Sequence, residues 1–283
     1  MKTAVQQIML GTVISDYENT LSVLKRIKQV GFDGIELNRY MIHPTPLFVR
    51  LLTQVAGMPT GNGGKLDWVK LIHESDLSVI SLHTDLDSLE KEFDSIVQEA
   101  HCLKTNKIVI TGMYKFNYGC EKDVLRLIER LNTNGKRLKE EGISLLYHNH
   151  NVELIEVKPN VCAYQMLIEN TNPEYVNFEF DSYWFMDAGS NPSIWMKKLG
   201  SRMKLWHVTD RGLKIPKTIF TPILKADSKE LGTGNMDLEE LYNIAKGNNV
   251  ETVVLESHKN WINNDPLQSI ELSAEWLNKH KTS

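Results

Sequence analysis

Four polar residues in the second half of the chain each end a short apolar run. His148 closes Ser-Leu-Leu-Tyr-His, Asp181 closes Asn-Phe-Glu-Phe-Asp, His207 closes Met-Lys-Leu-Trp-His, and Glu256 closes Val-Val-Leu-Glu. Imidazole and carboxylate in this mixture are donors for Mn²⁺, Zn²⁺, Co²⁺ or Fe²⁺; a Ca²⁺ site asks for mostly oxygen, and a structural zinc site for cysteines. Taken singly, a His at a strand end is ordinarily a hydrogen-bonded loop residue, and an Asp there is ordinarily the N-cap of the next helix. Glu256 resists that reading, because a carboxylate ending an apolar run is costly to bury unless something positive pairs with it. Four such ends in succession favour a single divalent-cation site.

For these residues to meet, their runs must be neighbouring strands whose ends lie at one height. Side chains alternate along a strand, so His148 shares a face with His150, Glu179 with Asp181, Leu205 with His207, and Val254 with Glu256. Strands are predicted over Ile8–Val13, Gly34–Leu37, Ser78–His83, Lys107–Thr111, Ser144–His148, Asn177–Asp181, Lys204–Val208 and Thr252–Glu256. Helical stretches lie between them, and the chain ends on another near Pro266–Lys279. Tyr17–Val30 carries Leu21, Leu24 and Ile27 at helical spacing, and Glu121–Glu141 repeats Val124, Leu125, Leu127, Ile128 and Leu131 on one side. Strands alternating with helices predict a parallel sheet, and this many units predict a closed (β/α)8 TIM barrel, α/β in class, forming a single domain over residues 1–283. Tyr40–Gly64, with Pro44, Pro46, Pro59 and Gly61-Asn-Gly-Gly64, reads as an insertion between the second and third strands, partly helical at Phe48–Val55. It is either a lid or a surface excursion.

Composition narrows the function classes. A formal charge of −4 lacks the basic excess that nucleic-acid binding requires. Cys102, Cys120 and Cys162 have neither metal nor redox spacing, which fits a reducing compartment without a disulfide framework. No run of about 18 apolar residues exists to span a membrane, and Gln6, Gln7, Asp16 and Glu18 interrupt any signal-peptide core. The expectation is a cytoplasmic protein with a small-molecule partner and no nucleic-acid or membrane partner.

The chain resembles the xylose isomerase-like TIM barrels, the sugar phosphate isomerase/epimerase superfamily. The resemblance runs through Gly31-Phe-Asp-Gly-Ile-Glu-Leu37, Leu77-Ser-Val-Ile-Ser-Leu-His83, Tyr147-His-Asn-His150, Phe180-Asp-Ser-Tyr-Trp184, His207-Val-Thr-Asp210, Leu231-Gly-Thr-Gly234 and Val254-Leu-Glu256. It implies one metal held by Glu, Asp, His and Glu from strands five to eight. By position the last three are Asp181, His207 and Glu256, and the first falls on His148. In this Tyr-His-Asn-His subgroup, similar to sugar isomerase-like and inosose dehydratase-like proteins, the fourth ligand is either His148 through its imidazole or Glu153 folded back. Thr209 stands where many relatives have Lys, and Gly232-Thr-Gly234 where they have Gly-Glu-Gly.

The resemblance further implies a divalent-metal-dependent isomerase or epimerase acting on a small sugar-like substrate. Mn²⁺ is the first choice of metal, with Zn²⁺, Co²⁺ or Fe²⁺ as alternatives. A base removes the proton next to a carbonyl, and the metal stabilises the resulting enediolate. The same first step leads to a lyase, either a keto-inositol dehydratase or a keto-sugar eliminase. The change on strand five also leaves open a non-catalytic sugar-binding barrel. A DNA-repair nuclease on this barrel is disfavoured by the lack of further ligands and of a basic surface. Glu256 is the expected base, with His148 or His150 as its acid/base counterpart; His150 is the freer of the two if His148 holds the metal. Substrate contacts are expected from His83, Glu153, Trp184, Asp210 and Arg211, with Trp206, Phe48 and Trp68 as apolar wall. Glu179 either orients a metal ligand or is a buried carboxylate bonded to a neighbour, and His258 lies at the rim. A homo-oligomer is common among the relatives.

Overall fold

The computed structural model describes residues 1–44, 63–111, 113, 115–213 and 224–281. In chain order the strands are β1 (Lys2–Gln6), β2 (Gly34–Asn38), β3 (Ser78–Thr84), β4 (Lys107–Ile110), β5 (Ser144–His148), β6 (Glu156–Lys158), β7 (Val161–Cys162), β8 (Val176–Asp181), β9 (Met203–Val208), β10 (Asp210–Gly212), β11 (Asp227–Lys229) and β12 (Thr252–Leu255). Eight of them close a barrel in the order β1-β2-β3-β4-β5-β8-β9-β12, with every neighbour parallel. The pairs β6–β7 and β10–β11 are small antiparallel hairpins outside the barrel wall.

The two faces of each strand explain why its sequence reads as it does. Outward side chains such as Leu145, Tyr147, Phe178, Phe180, Trp206, Val253 and Leu255 join the large core shared with the helices. Inward, Ala4, Ile80, Val109, Leu146, Leu205 and Val254 form a separate apolar plug. Two residues further along three of those strands come His148, His207 and Glu256, all buried. The period of two that stacks the plug therefore also delivers the polar layer above it. Register brings the ends together, with His148 opposite Glu179, Asp181 opposite His207, and His207 opposite Val254.

The helices obey the same logic. Tyr17–Gln29 begins where Asp16 accepts the Asn19 N–H at 2.9 Å, and it buries Thr20, Leu21, Val23, Leu24 and Ile27. Glu121–Glu140 approaches β8 so closely that a Cβ on Gly135 would lie 2.5 Å from the Tyr175 carbonyl oxygen. The C-terminal helix runs from Pro266 to Lys281.

The first strand differs from the sequence expectation. Lys2–Gln6, not Ile8–Val13, forms it, while Gln7–Leu10 is a 3₁₀ turn with Ile8, Met9 and Leu10 buried. Gln6 breaks the strand by accepting the Ile8 N–H through its own side chain at 2.6 Å, and Gln7 Oε1 accepts the Asn38 N–H at 2.8 Å. The apolar residues there are core residues of a turn, so their hydrophobicity reports burial and not extension. The expected helix at Phe48–Val55, and most of the Tyr40–Gly64 insertion, lie outside the described residues. Its described start, Arg39–Ile42, is one helical turn. Among the described residues no helix is long and apolar enough to cross a membrane.

Candidate metal centre

The strand ends bring His148, Asp181, His207 and Glu256 together. Each offers a donor atom, and the four atoms lie within 4.8 Å of one another, all on buried residues. His207 Nδ1 is 2.8 Å from Glu256 Oε2 and 4.0 Å from Asp181 Oδ2, and the His148 and His207 ring centroids are 4.7 Å apart. Asp181 does two jobs at once. Its Oδ1 accepts the N–H groups of Tyr183 at 2.8 Å and Trp184 at 3.2 Å, capping the helix Ser182–Asp187, while Oδ2 is left for the group. Asn149 clamps β5 to β8: its amide donates to the Asp181 carbonyl at 3.0 Å, and its Oδ1 accepts the Asp181 N–H at 3.0 Å.

A deeper layer fixes the rings. Glu179 Oε2 lies 3.1 Å from His148 Nδ1, and Glu36 Oε1 lies 2.6 Å from His207 Nε2. Both carboxylates are wholly buried. Ser81 Oγ donates to Glu36 Oε2. A carboxylate on one ring nitrogen sets the tautomer and leaves the other nitrogen as a donor. Glu179 thus occupies the orienting position. Glu36 is a site residue that the sequence reading passed over, although its carboxylate interrupts Gly34-Ile-Glu-Leu in the way that singled out Glu256.

Charge dominates this layer. Burial alone would lower the His207 imidazole, but Glu179, Glu36 and Glu256 outweigh it and hold its pKa well above the ordinary value. Burial would likewise raise Glu179 and Glu256, yet the facing imidazoles, His207 first, hold both well below the usual carboxylate range. For Asp181 burial prevails, and its pKa is pushed up to about 6. Burial, then the neighbouring His148, lowers His150 to about 3. Four carboxylates (Glu36, Glu179, Asp181, Glu256) surround three imidazoles (His83, His148, His207), with His258 facing Glu256 from the rim, so their charge is balanced only if every one of these rings is protonated. Unpaired buried charge is expensive. A divalent cation among mixed nitrogen and oxygen donors neutralises these carboxylates without requiring every ring to carry an extra proton, so the donor set fits such an ion.

The remaining expected residues separate into two sets. His150, Trp184 and His258 stand beside the group. The His150 ring is 5.1 Å from His148 and 5.7 Å from Trp184, and His258 Nε2 is 3.3 Å from Glu256 Oε1. Asp181, Trp184, Thr209, Glu256 and His258 line part of a cavity of about 210 Å³. His83 lies in the deeper layer, its Nε2 2.9 Å from both Glu36 Oε1 and Glu179 Oε2, and it also lines a second cavity of about 560 Å³ together with Asn38, Tyr40 and Thr84.

Glu153 and Asp210 are both engaged by protein groups. Glu153 Oε1 accepts the Tyr147 hydroxyl at 2.7 Å and Oε2 accepts the His150 N–H at 2.9 Å, while Tyr118 OH lies 2.9 Å behind Tyr147 OH. Its carboxylate holds the loop that carries His150, with both oxygens turned to these protein donors. Asp210 is enclosed by backbone. Oδ1 accepts from Arg211 at 2.8 Å and Met236 at 3.1 Å; Oδ2 accepts from Gly232 at 3.1 Å and Gly234 at 2.9 Å. Gly232 has φ +78°, and a Cβ on Gly234 would lie 2.3 Å from Asp210 Oδ1, so both glycines are required by this cage. Arg211 turns to Asp187, with Nε 3.2 Å from Oδ1. Trp206 points outward, donating to Ser182 Oγ at 3.0 Å, and Trp68 is packed in the helix core, so neither is pocket wall. Phe48 lies outside the described residues.

Comparison with known proteins points to the same barrel. A family model described as "Xylose isomerase-like TIM barrel" matches residues 24–280. An inosose dehydratase of Clostridium beijerinckii is 25% identical over 191 residues, covering 65% of this chain and 58% of that protein. The chain spans about half the length, or less, of the other inosose dehydratases it matches. A sugar phosphate isomerase/epimerase from Parabacteroides distasonis superposes with TM-score 0.75 at 19% identity, covering 98% of this chain and 93% of the other. The IOLI protein, crystallised with a zinc atom, superposes with TM-score 0.67 at 15% identity, covering 99% and 97%.

Proposed function

Since the chain belongs to the xylose isomerase-like TIM barrel family, we propose that it is a divalent-cation-dependent enzyme that removes a proton next to the carbonyl of a small sugar-like substrate, as an isomerase or epimerase. The observation that carries this reading is the convergence of His148, Asp181, His207 and Glu256 within 4.8 Å beside an open cavity. These four would hold the cation, with Mn²⁺ as first choice and Zn²⁺, Co²⁺ or Fe²⁺ as alternatives. When bound, such an ion supplies Lewis-acid polarisation of a carbonyl and neutralises developing negative charge.

The protein's own groups do the rest. Trp184 and His258 present a flat face and a donor at the cavity, suited to one side of a sugar. Glu256, at the cavity with Oε1 turned to His258, is the base that takes the proton. His150, a neutral ring against His148 and Trp184, relays the returning proton, one ring nitrogen giving its hydrogen as the other takes one up. Glu153 and Tyr147 hold the backbone of His150 in place. Return to the opposite face of the same carbon gives an epimer, and return to the neighbouring carbon an isomer.

The similarity to inosose dehydratases favours a second reading in which the carbanion expels a β-hydroxyl and the enzyme is a lyase. One experiment separates the two. Candidate keto-sugars and keto-inositols are incubated with Mn²⁺-loaded protein in D₂O, and deuterium incorporation and product identity are read by NMR. Deuterated epimer or isomer supports the first reading, and an unsaturated or dehydrated product the second. No exchange into any of them, from protein shown to be metal-loaded, removes both.

A further inference from the structure

The deeper layer is more than a support for the rings above it. Four donor atoms, Glu36 Oε1, His83 Nε2, Glu179 Oε2 and His207 Nε2, form a second closely spaced group. Around it the separations are 2.9 Å (His83 to Glu36), 2.9 Å (His83 to Glu179), 2.6 Å (His207 to Glu36) and 3.2 Å (His207 to Glu179). Two ligand atoms each about 2.1 Å from a shared ion are separated by roughly 2.9 Å at a right angle and roughly 3.4 Å at the tetrahedral angle. Most of the observed spacings fall at or near that range.

Hydrogen bonding does not account for all of them. His83 Nε2 is at hydrogen-bond distance from two carboxylate oxygens, yet its N–H axis is aligned with neither, and it has no hydrogen-bond partner among the described residues. An imidazole nitrogen about 2.1 Å from an ion would see ligands 2.9 Å away at roughly 45° off its axis, too oblique for a hydrogen bond. Glu179 Oε1 is likewise buried with no partner among the described residues. Both side chains are at least nine-tenths buried, at 5% and 0% exposure, where an unmade polar contact is costly.

We propose that Glu36, His83, Glu179 and His207 form a second divalent-cation site, one layer deeper than the proposed first site and sharing His207 with it. The donor set of two imidazoles and two carboxylates suits a four-coordinate transition-metal ion such as Zn²⁺ or Co²⁺. His207 has a nitrogen for each group, Nδ1 toward Glu256 and Nε2 toward Glu36. When both sites fill, its remaining ring proton is released to solvent and the imidazolate bridges the ions. Two divalent cations then face the four buried carboxylates. The pairing rests on the proposed first site for the role of Nδ1, but the deeper group has three ligands of its own.

The test uses the full chain, stripped with chelator and titrated with Co²⁺ alone, with bound metal counted after gel filtration. Wild type is expected to retain two ions per chain. His83→Asn and Glu36→Gln should each retain one, held by the first site, and Asp181→Asn should also retain one. With Mn²⁺, the wild-type electron paramagnetic resonance spectrum should show exchange coupling that all three variants lose. Circular dichroism identifies variants that fail to fold, and having two deeper-layer variants guards against losing one. One ion in wild type, unchanged by His83→Asn and Glu36→Gln, would overturn the second site and leave the first intact. Two ions that no variant removes would place the extra ion on the surface, which also overturns it. An empty wild type would remove both sites together.

Discussion

Asp210 lies three residues after His207, where the sequence reading places a substrate contact, and its cage of backbone N–H groups predicts something different. In Asp210→Ala, the N–H groups of Arg211, Gly232, Gly234 and Met236 lose their acceptor together. Each bond to a charged acceptor is worth about 1.5–3 kcal/mol, but bonds to one carboxylate do not add independently. The expected loss is therefore about 3–5 kcal/mol, the scale of a broken buried network. Asp210→Asn keeps one oxygen and turns an NH₂ toward two donors, so it should lose roughly half as much. Urea unfolding measures the difference, and hydrogen exchange at the Gly232, Gly234 and Met236 amides locates it. If Asp210→Asn stays within about 0.5 kcal/mol of wild type with those amides still protected, while sugar turnover vanishes, the cage argument is wrong and Asp210 touches substrate.

Three further outcomes follow from the contacts. Tyr147→Phe strips a donor from buried Glu153 and should cost about 1–3 kcal/mol, with faster exchange at the His150 amide; unchanged exchange there would deny that Glu153 holds the loop. Gly135→Ala ought to gain up to about 1 kcal/mol of helix propensity, but its Cβ would press on the Tyr175 carbonyl 2.5 Å away, so thermal melts should show a net loss of about 1–3 kcal/mol, and a gain would mean the helix can move aside. Asp33 accepts the Thr3 N–H at 2.8 Å and faces Lys281 Nζ at 2.8 Å. Burial pushes its carboxyl up, but those partners outweigh burial and hold it below the ordinary value. A depressed folded pKa contributes stability above the unfolded value and loses it as pH falls through the folded one. The gap between wild type and Asp33→Asn, under about 1 kcal/mol at this exposure, should hold steady above about pH 5 and close below about pH 4; a gap that widens in acid would refute the assignment.

Much of this architecture was legible because strand ends carry their own signature. His148, Asp181, His207 and Glu256 each follow an apolar run, and period-two alternation above Leu146, Leu205 and Val254 places three of them on the inner face. Most of what escaped was non-local. Ile8–Met9–Leu10 looks like a strand because core burial selects the same residues in a turn, and only the Gln6 and Gln7 side-chain bonds reveal the break. Glu36 was passed over because its partners, Ser81 and His207, are 45 and 171 positions away in sequence. The cage around Asp210 was not legible because most of it comes from residues 22 to 26 positions later, which no local spacing encodes. Glu153 was read as an alternative fourth ligand or a substrate contact; its partners, the Tyr147 hydroxyl and the His150 N–H, are close in sequence, but periodicity does not show which way a loop carboxylate turns.

The most direct test of the central claim is an anomalous-difference map from crystals of the Co²⁺-loaded protein, collected on both sides of the cobalt edge. The account predicts a peak bounded by His148, Asp181, His207 and Glu256, lost in Asp181→Asn while the barrel stays intact. A fully loaded crystal with density only elsewhere, or with these four side chains turned from one another, would contradict it.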